Sequence, residues 1–337
     1  MNVKKLRSIY GGHWNLKKRI KWVDVAKGIL ISLVVLGHSD IHKMTGILIN
    51  SFDMAAFFSL SGITFHCSEN YKKYTIKKLK NLLVPYLYFS IIMLFYFAVK
   101  AIVWKRGDFS IKCGILSFFI PISGRNSTSV YGLWFLPCLF LAEMLLYIIL
   151  KTKEKNIYLA SLFFVLICVG CFIINKITNV TSVLSILPIA LIFLLVGIEI
   201  RKNYNQIEKN KRMICISSFI TFLLVVIINY IVTESMIDLS SMTLGSWPLY
   251  IVSGLAGTIF ICSFAMIIQN VGVFSVIGRD SVYYYGLHYE IISVVEKILR
   301  WGVLQTIITI AILYPVINIW KYKKVGRIND KCNCTSV

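Results

Sequence analysis

Long apolar stretches separated by short basic ones set the pattern of this chain. A hydropathy window of about 19 residues picks out about ten segments able to cross a bilayer as helices. They run over 22–38, 46–66, 81–104, 131–150, 157–174, 182–200, 213–233, 248–270, 281–297 and 302–320. Their apolar runs are continuous rather than alternating residue by residue, which excludes a β-barrel. A stretch at 113–122 (CGILSFFIPI) is too short to span and predicts an interfacial or re-entrant piece. The expected fold class is an all-α membrane protein, a polytopic bundle of about ten transmembrane helices.

The polar positions between the spans orient them. Lys and Arg gather at 4–21, 72–80, 151–155, 201–212, Arg279 and 321–331, in every second connection. The alternate connections are poor in cations: 39–45 has Lys43, 175–181 has Lys176, and 234–247 has none. Only 105–130, with Lys105, Arg106, Lys112 and Arg125, goes against the trend. The positive-inside bias therefore predicts both termini in the cytoplasm, consistent with an even number of spans. The expected organisation is a basic segment 1–21, one transmembrane domain over 22–320 and a basic tail 321–337. The basic head precedes an apolar run with no small-residue cleavage site, which predicts an uncleaved span rather than a signal peptide.

Composition sharpens two points. The 337 residues are 57% hydrophobic and 15% charged, where a soluble domain carries about 25% charge. The net charge of +21 raises the question of nucleic acid, but the cations sit in loops between spans, without a basic, aromatic-interleaved stripe. No nucleic-acid partner is expected; the expected surroundings are a lipid bilayer, the cytoplasmic membrane of a bacterium. Nine cysteines are scattered, mostly inside apolar runs, with no metal-ligand spacing, so no metal is expected. The Cys332-x-Cys334 pair reads as tail decoration.

The chemistry concentrates in the first span, Arg19 to Ser39. Lys27 and His38 are eleven residues apart, which on one helix is three turns plus about 20°, or about 16 Å along a shared face. Asp24 lies within about 40° of the same line. A charge at the centre of an inserted helix costs about 2.5–3.5 kcal/mol, so groups kept at such depth point to a polar cavity. A neutral imidazole suits His38 to general-base work on a hydroxyl. Lys27, with Asp24 beside it, is a fixed cation suited to a phosphate, and the Lys77/Lys78/Lys80 cluster adds a landing for an anionic cofactor. Snorkelling is the plainer role for Lys27, and simple neutralisation for Asp24.

Later segments add candidates. Asp53 follows His38 closely enough in sequence to hold its imidazole, as the acid does in a His–Asp pair. Ser39 offers a hydroxyl beside the histidine. Trp134 opens the fourth span, and His288 and Glu290 lie in an otherwise apolar, Tyr-rich span, where a polar cavity and simple packing are both open readings.

These residues together resemble acyltransferase family 3, the integral-membrane O-acyltransferases of cell-surface polysaccharides, nearest its fucose O-acetylase-like branch. The resemblance rests on Trp22, Asp24, Lys27, Gly28, Val34, Val35, Gly37 and His38; on Phe57, Phe58, Ser61 and Gly62; on Pro85–Tyr86; on Leu133 to Pro137; and on Gly278, Ser281, Leu287 and His288. Two positions depart from it: Lys27 stands where many members carry Arg, and Asp53-Met54-Ala55 where His-Met-Pro is usual. The resemblance implies acyl-CoA, usually acetyl-CoA, as donor at the cytoplasmic side, with a sugar hydroxyl of a glycan or lipid-linked oligosaccharide as acceptor. Taken with the residue readings above, catalysis is expected of His38 with Asp53 and Ser39, donor binding of Lys27, Asp24, Lys77 and Lys78, and acceptor binding of Trp134, His288 and Glu290. The competing reading is a carrier or flippase for a lipid-linked glycan, although no pair of Gly/Pro-broken segments marks matching halves.

Overall fold

The computed structural model describes residues 19–67, 70–104, 132–178 and 183–333. The basic head up to residue 18, the 113–122 segment with the cations of 105–130, and the tail side chains from 321 onward lie outside the described residues. Among these the chain is helical, with one isolated bridge, Asp238 to Thr243, in place of strands. Among the described residues, seven helical stretches are long and apolar enough to cross a membrane.

The first helix, α1 (Lys21–Gly37), is the axis of the bundle and buries ten of its 17 residues. After it come α2 (Lys43–Asn50) and α3 (Asp53–Thr64), two pieces where the sequence predicts one span over 46–66. The break has a visible cause. Phe52 leaves helical backbone at φ −150° and ψ −18°, and its side chain occupies the space beside Gly257, where an added Cβ would lie 2.4 Å away. Ser253 donates to the carbonyl of Ser51 (3.3 Å), and Asn50 donates to the carbonyl of Ile237 (3.0 Å). The interruption is thus held by partners rather than left frayed.

Next, α4 (Tyr71–Lys78) runs through a π-helical turn (Leu79–Leu83) into α5 (Val84–Trp104). Val84 N–H reaches back to Leu79, and Pro85, which has no N–H to give, follows at once. That turn rotates the lysine-rich start of the span relative to its apolar remainder. The chain continues as α6 (Phe135–Lys155), α7 (Ile157–Thr178), α8 (Val183–Lys202), the short α9 (Tyr204–Lys209), α10 (Lys211–Thr233) and α11 (Trp247–Ile267). It closes with α12 (Gly272–Arg279), α13 (Ser281–Val295) and α14 (Gly302–Asn333). The α12 helix was not foreseen; 271–280 reads as a loop in the sequence.

Glycines allow the closest approaches around α1. A Cβ on Gly28 would meet the Phe274 carbonyl oxygen at 2.0 Å, and one on Gly278 the Asp24 carbonyl oxygen at 1.7 Å, so α12 lies directly on the first turns of α1. Gly62 and Gly197 do the same for α3 against α8. The outer faces of α7 and α10 carry exposed Leu162, Leu166, Phe172, Ile216, Leu224 and Ile231, the composition of a lipid-facing surface.

Contacts divide the bundle into two ends. At the basic end α1 begins, Arg19 meets Asp24, and Arg201 donates to the carbonyls of Ile63 (3.2 Å) and Phe65 (2.5 Å), closing the last turn of α3. At the opposite end α1 finishes. There Ser39 shares a hydrogen bond with Thr306 (3.1 Å) and Asp40 N–H donates to Gln305 (2.8 Å), tying the α1 exit to the start of α14.

Candidate active site

Two polar clusters lie on α1, one toward each end. In the first, Lys78 Nζ is 2.7 Å from the buried carboxylate of Glu143 on α6, and the Tyr74 hydroxyl donates to the same carboxylate (3.2 Å). The Arg19 guanidinium holds Asp24 at 2.7 Å. Lys27 is half-buried between these pairs, within electrostatic range of Asp24, Lys78, Arg19 and Glu143. Among the described residues it has no hydrogen bond or ion pair of its own. The three cations face two carboxylates, so one positive charge is left uncompensated in a partly enclosed setting. Such a site attracts an anion. Lys77 is exposed on α4 at the same end.

The second cluster surrounds His38, which caps α1 and is exposed. Ser39, Asp40, His42 and Lys43 follow it, so the chain just beyond α1 forms a polar mouth. Its neighbours on α13 are rings: His288 with centroids 5.1 Å apart and Tyr289 at 6.3 Å, edge-on. Tyr285, one turn before His288, bonds the carbonyl of Gly132 through its hydroxyl and accepts from Phe135 N–H (3.3 Å). That pair fixes the start of α6 against α13. Trp134 sits there, buried and edge-on to Phe135 at 6.1 Å. Glu290 is half-buried, and neither carboxylate oxygen has a hydrogen-bond partner among the described residues.

Several candidates stand elsewhere than the sequence places them. Asp53 is buried, but its Oδ1 accepts from Met54 N–H (2.6 Å), and no hydrogen bond or ion pair joins it to His38. The carboxylate within electrostatic range of His38 is Asp238, in the connection between α10 and α11. Ser39 donates to the Val35 carbonyl (3.0 Å) as well as meeting Thr306, so its hydroxyl serves helix contacts. Lys78 is already engaged by Glu143. Between Lys27 and His38, on the same face of α1, Ile31 and Val34 are buried against neighbouring helices. The two groups therefore occupy separate mouths joined by a packed section, not one open groove along α1.

Glu143, Tyr74, Asp238 and Tyr289 are the residues that sequence reasoning passed over. Glu143 carried a readable signal, a lone carboxylate in an apolar span. The other three did not, because a tyrosine or a loop aspartate looks ordinary until the fold brings it to a histidine or a lysine.

Residues 20–320 match the acyltransferase domain of acyltransferase family 3. Comparisons with curated proteins and with solved structures found no significant match. The match runs from the turn before α1 through the apolar part of α14 and takes in both polar clusters, so this multi-pass membrane protein belongs to acyltransferase family 3.

Proposed function

We propose that the protein is a membrane O-acyltransferase of the fucose O-acetylase-like kind, moving an acetyl group from acetyl-CoA to a sugar hydroxyl of a cell-surface or lipid-linked glycan. The observation that carries this reading is the pairing, on one helix, of an uncompensated cation and an imidazole about 16 Å apart. The basic end would face the cytoplasm, where acyl-CoA is found, by the positive-inside bias.

Lys27 receives a donor phosphate, with Lys77 adding to the local potential. Lys78 shapes the site through its bond to Glu143, and Asp24 holds Arg19 beside it. The pantetheine arm then runs toward His38, which requires the contacts over Ile31 and Val34 to part when donor binds. His38 takes the proton of the acceptor hydroxyl as its oxygen attacks the thioester carbonyl. The tetrahedral intermediate expels the CoA thiolate, which recovers the proton from the imidazolium, so charge and protons balance. Asp53 is buried at the start of α3, where it caps its own helix, and the proposed step does not use its charge. The Ser39 hydroxyl is the second place at which an acyl group could rest. Trp134 and Glu290 are assigned to the acceptor side, where the Glu290 carboxylate oxygens, buried and without a hydrogen-bond partner among the described residues, must be uncovered before they accept from a sugar hydroxyl.

Mass analysis of the surface glycan from a deletion strain tests this reading. Loss of about one acetyl mass per repeat with normal glycan amount supports the enzyme. The interrupted spans, α2–α3 and α12–α13, are the one observation that favours a carrier, since broken helices line transport sites. Lost export of an otherwise unaltered glycan would favour that carrier.

A further inference from the structure

The His288 imidazole is sealed inside the bundle, and its two nitrogens have unlike surroundings. Nδ1 lies 3.1 Å from the Tyr284 carbonyl oxygen and 2.8 Å from that of Tyr285. Carbonyls only accept, so Nδ1 carries the proton and donates to both. Nε2 is then a lone pair, buried and without a hydrogen-bond partner among the described residues.

Beside it stands His38, with ring centroids 5.1 Å apart and planes tilted by 42°. A ring nitrogen lies about 1.1 Å from its centroid, and an N–H···N bond spans about 2.9–3.0 Å, so two imidazoles joined by such a bond have centroids about 5.2 Å apart. The two rings already stand at bonding separation and need only turn into line. Neither nearby carboxylate competes. Asp53 accepts from Met54 N–H, and Asp238 accepts from Ser240 N–H (2.8 Å), Ser240 Oγ (2.7 Å) and Ser241 Oγ (2.9 Å).

We propose that His288 is a positioning residue: its Nε2 accepts a hydrogen bond from one nitrogen of His38, which leaves the other His38 nitrogen unprotonated and turned to the polar mouth. In a Ser-His-Asp triad a carboxylate fixes the tautomer of the base. Here a neutral imidazole, itself locked by two backbone carbonyls, does that work without placing a second charge at this depth. The inference rests on the O-acyltransferase reading and replaces an acceptor-binding role for His288 with one directed at His38.

Membrane vesicles from the deletion strain, each carrying one full-length variant at matched abundance, supply the endogenous acceptor, and 14C-acetyl-CoA supplies the label. His288→Leu should lower kcat about 100-fold, within the range for general acid–base catalysis, and leave the acetyl-CoA KM within about two-fold. His288→Gln returns a carbonyl oxygen near the place of Nε2 and should recover about ten-fold of that loss. In a His38→Ala background, His288→Leu should lower the residual rate no further. A packing role would reverse the order, because Leu fills an apolar niche better than an amide. Equal rates for Leu and Gln, a KM effect without a kcat effect, or additivity with His38→Ala would each overturn the proposal. Wild-type vesicles that transfer no label would overturn the reading beneath it instead.

Discussion

At the scale of single residues, ionisable groups in this protein are either closely partnered or conspicuously not. Glu143 accepts from both Lys78 and Tyr74, and removing one partner of a buried pair costs about 3–5 kcal/mol because the other charge is stranded. Lys78→Met should therefore destabilise the detergent-solubilised protein strongly, and Lys78→Met with Glu143→Leu should regain much of the loss; thermal melting of the three proteins checks this. Lys27 is the opposite case, a cation with carboxylates in range but no hydrogen bond or ion pair of its own among the described residues. Lys27→Ala should raise the acetyl-CoA KM about ten-fold or more with little change in kcat, while Lys27→Arg should bind donor at least as well. Steady-state kinetics at varied donor separate the two terms, and an unchanged KM would remove the phosphate role from Lys27. Much of this was legible in the sequence, since Lys27 and His38 announce themselves as charges in an apolar helix. The partner of His38 was not. Asp53 looked close along the chain, but the break at Phe52 aims its carboxylate at its own helix start, and only the fold brings α13 alongside α1.

Among the elements, contacts between backbones decide the arrangement. Gly28 and Gly278 carry part of the family resemblance read from the sequence, and both serve packing: each sits against a carbonyl of the other helix. Neither carbonyl can give way without moving a whole helix, so Gly278→Ala should lower stability by more than the usual overpacking cost of about 1–3 kcal/mol. Gly170→Ala, at a position with nothing within 4 Å, should be neutral or slightly stabilising. The difference in melting temperature between these two single-methyl changes is the check, and equal values would contradict the close fit of α12 on α1. Helix positions were the most legible part of the sequence, because hydropathy reports length directly. The division of 46–66 into α2 and α3 was not, since it depends on Phe52 reaching Gly257 of a helix two hundred residues later. Nor was α12, whose eight residues are too few to register in a hydropathy window.

For the whole molecule, the arrangement is a bundle around α1, with a cationic cluster at one end of that helix and a histidine cluster at the other. Basic residues at α1, α4, α8 and α10 share an end, as the spacing of charge along the chain predicts. In the proposed reaction the donor's phosphates stay at the Lys27 end, and its pantetheine arm carries the acyl group past the packed section at Ile31 and Val34. Purified protein with radiolabelled acetyl-CoA and a panel of lipid-linked oligosaccharides tests this most directly. The account predicts alkali-labile label on one class of acceptor with the wild-type protein, and a loss of at least about 100-fold with His38→Ala at unchanged membrane abundance. Transfer by His38→Ala at the wild-type rate would contradict it.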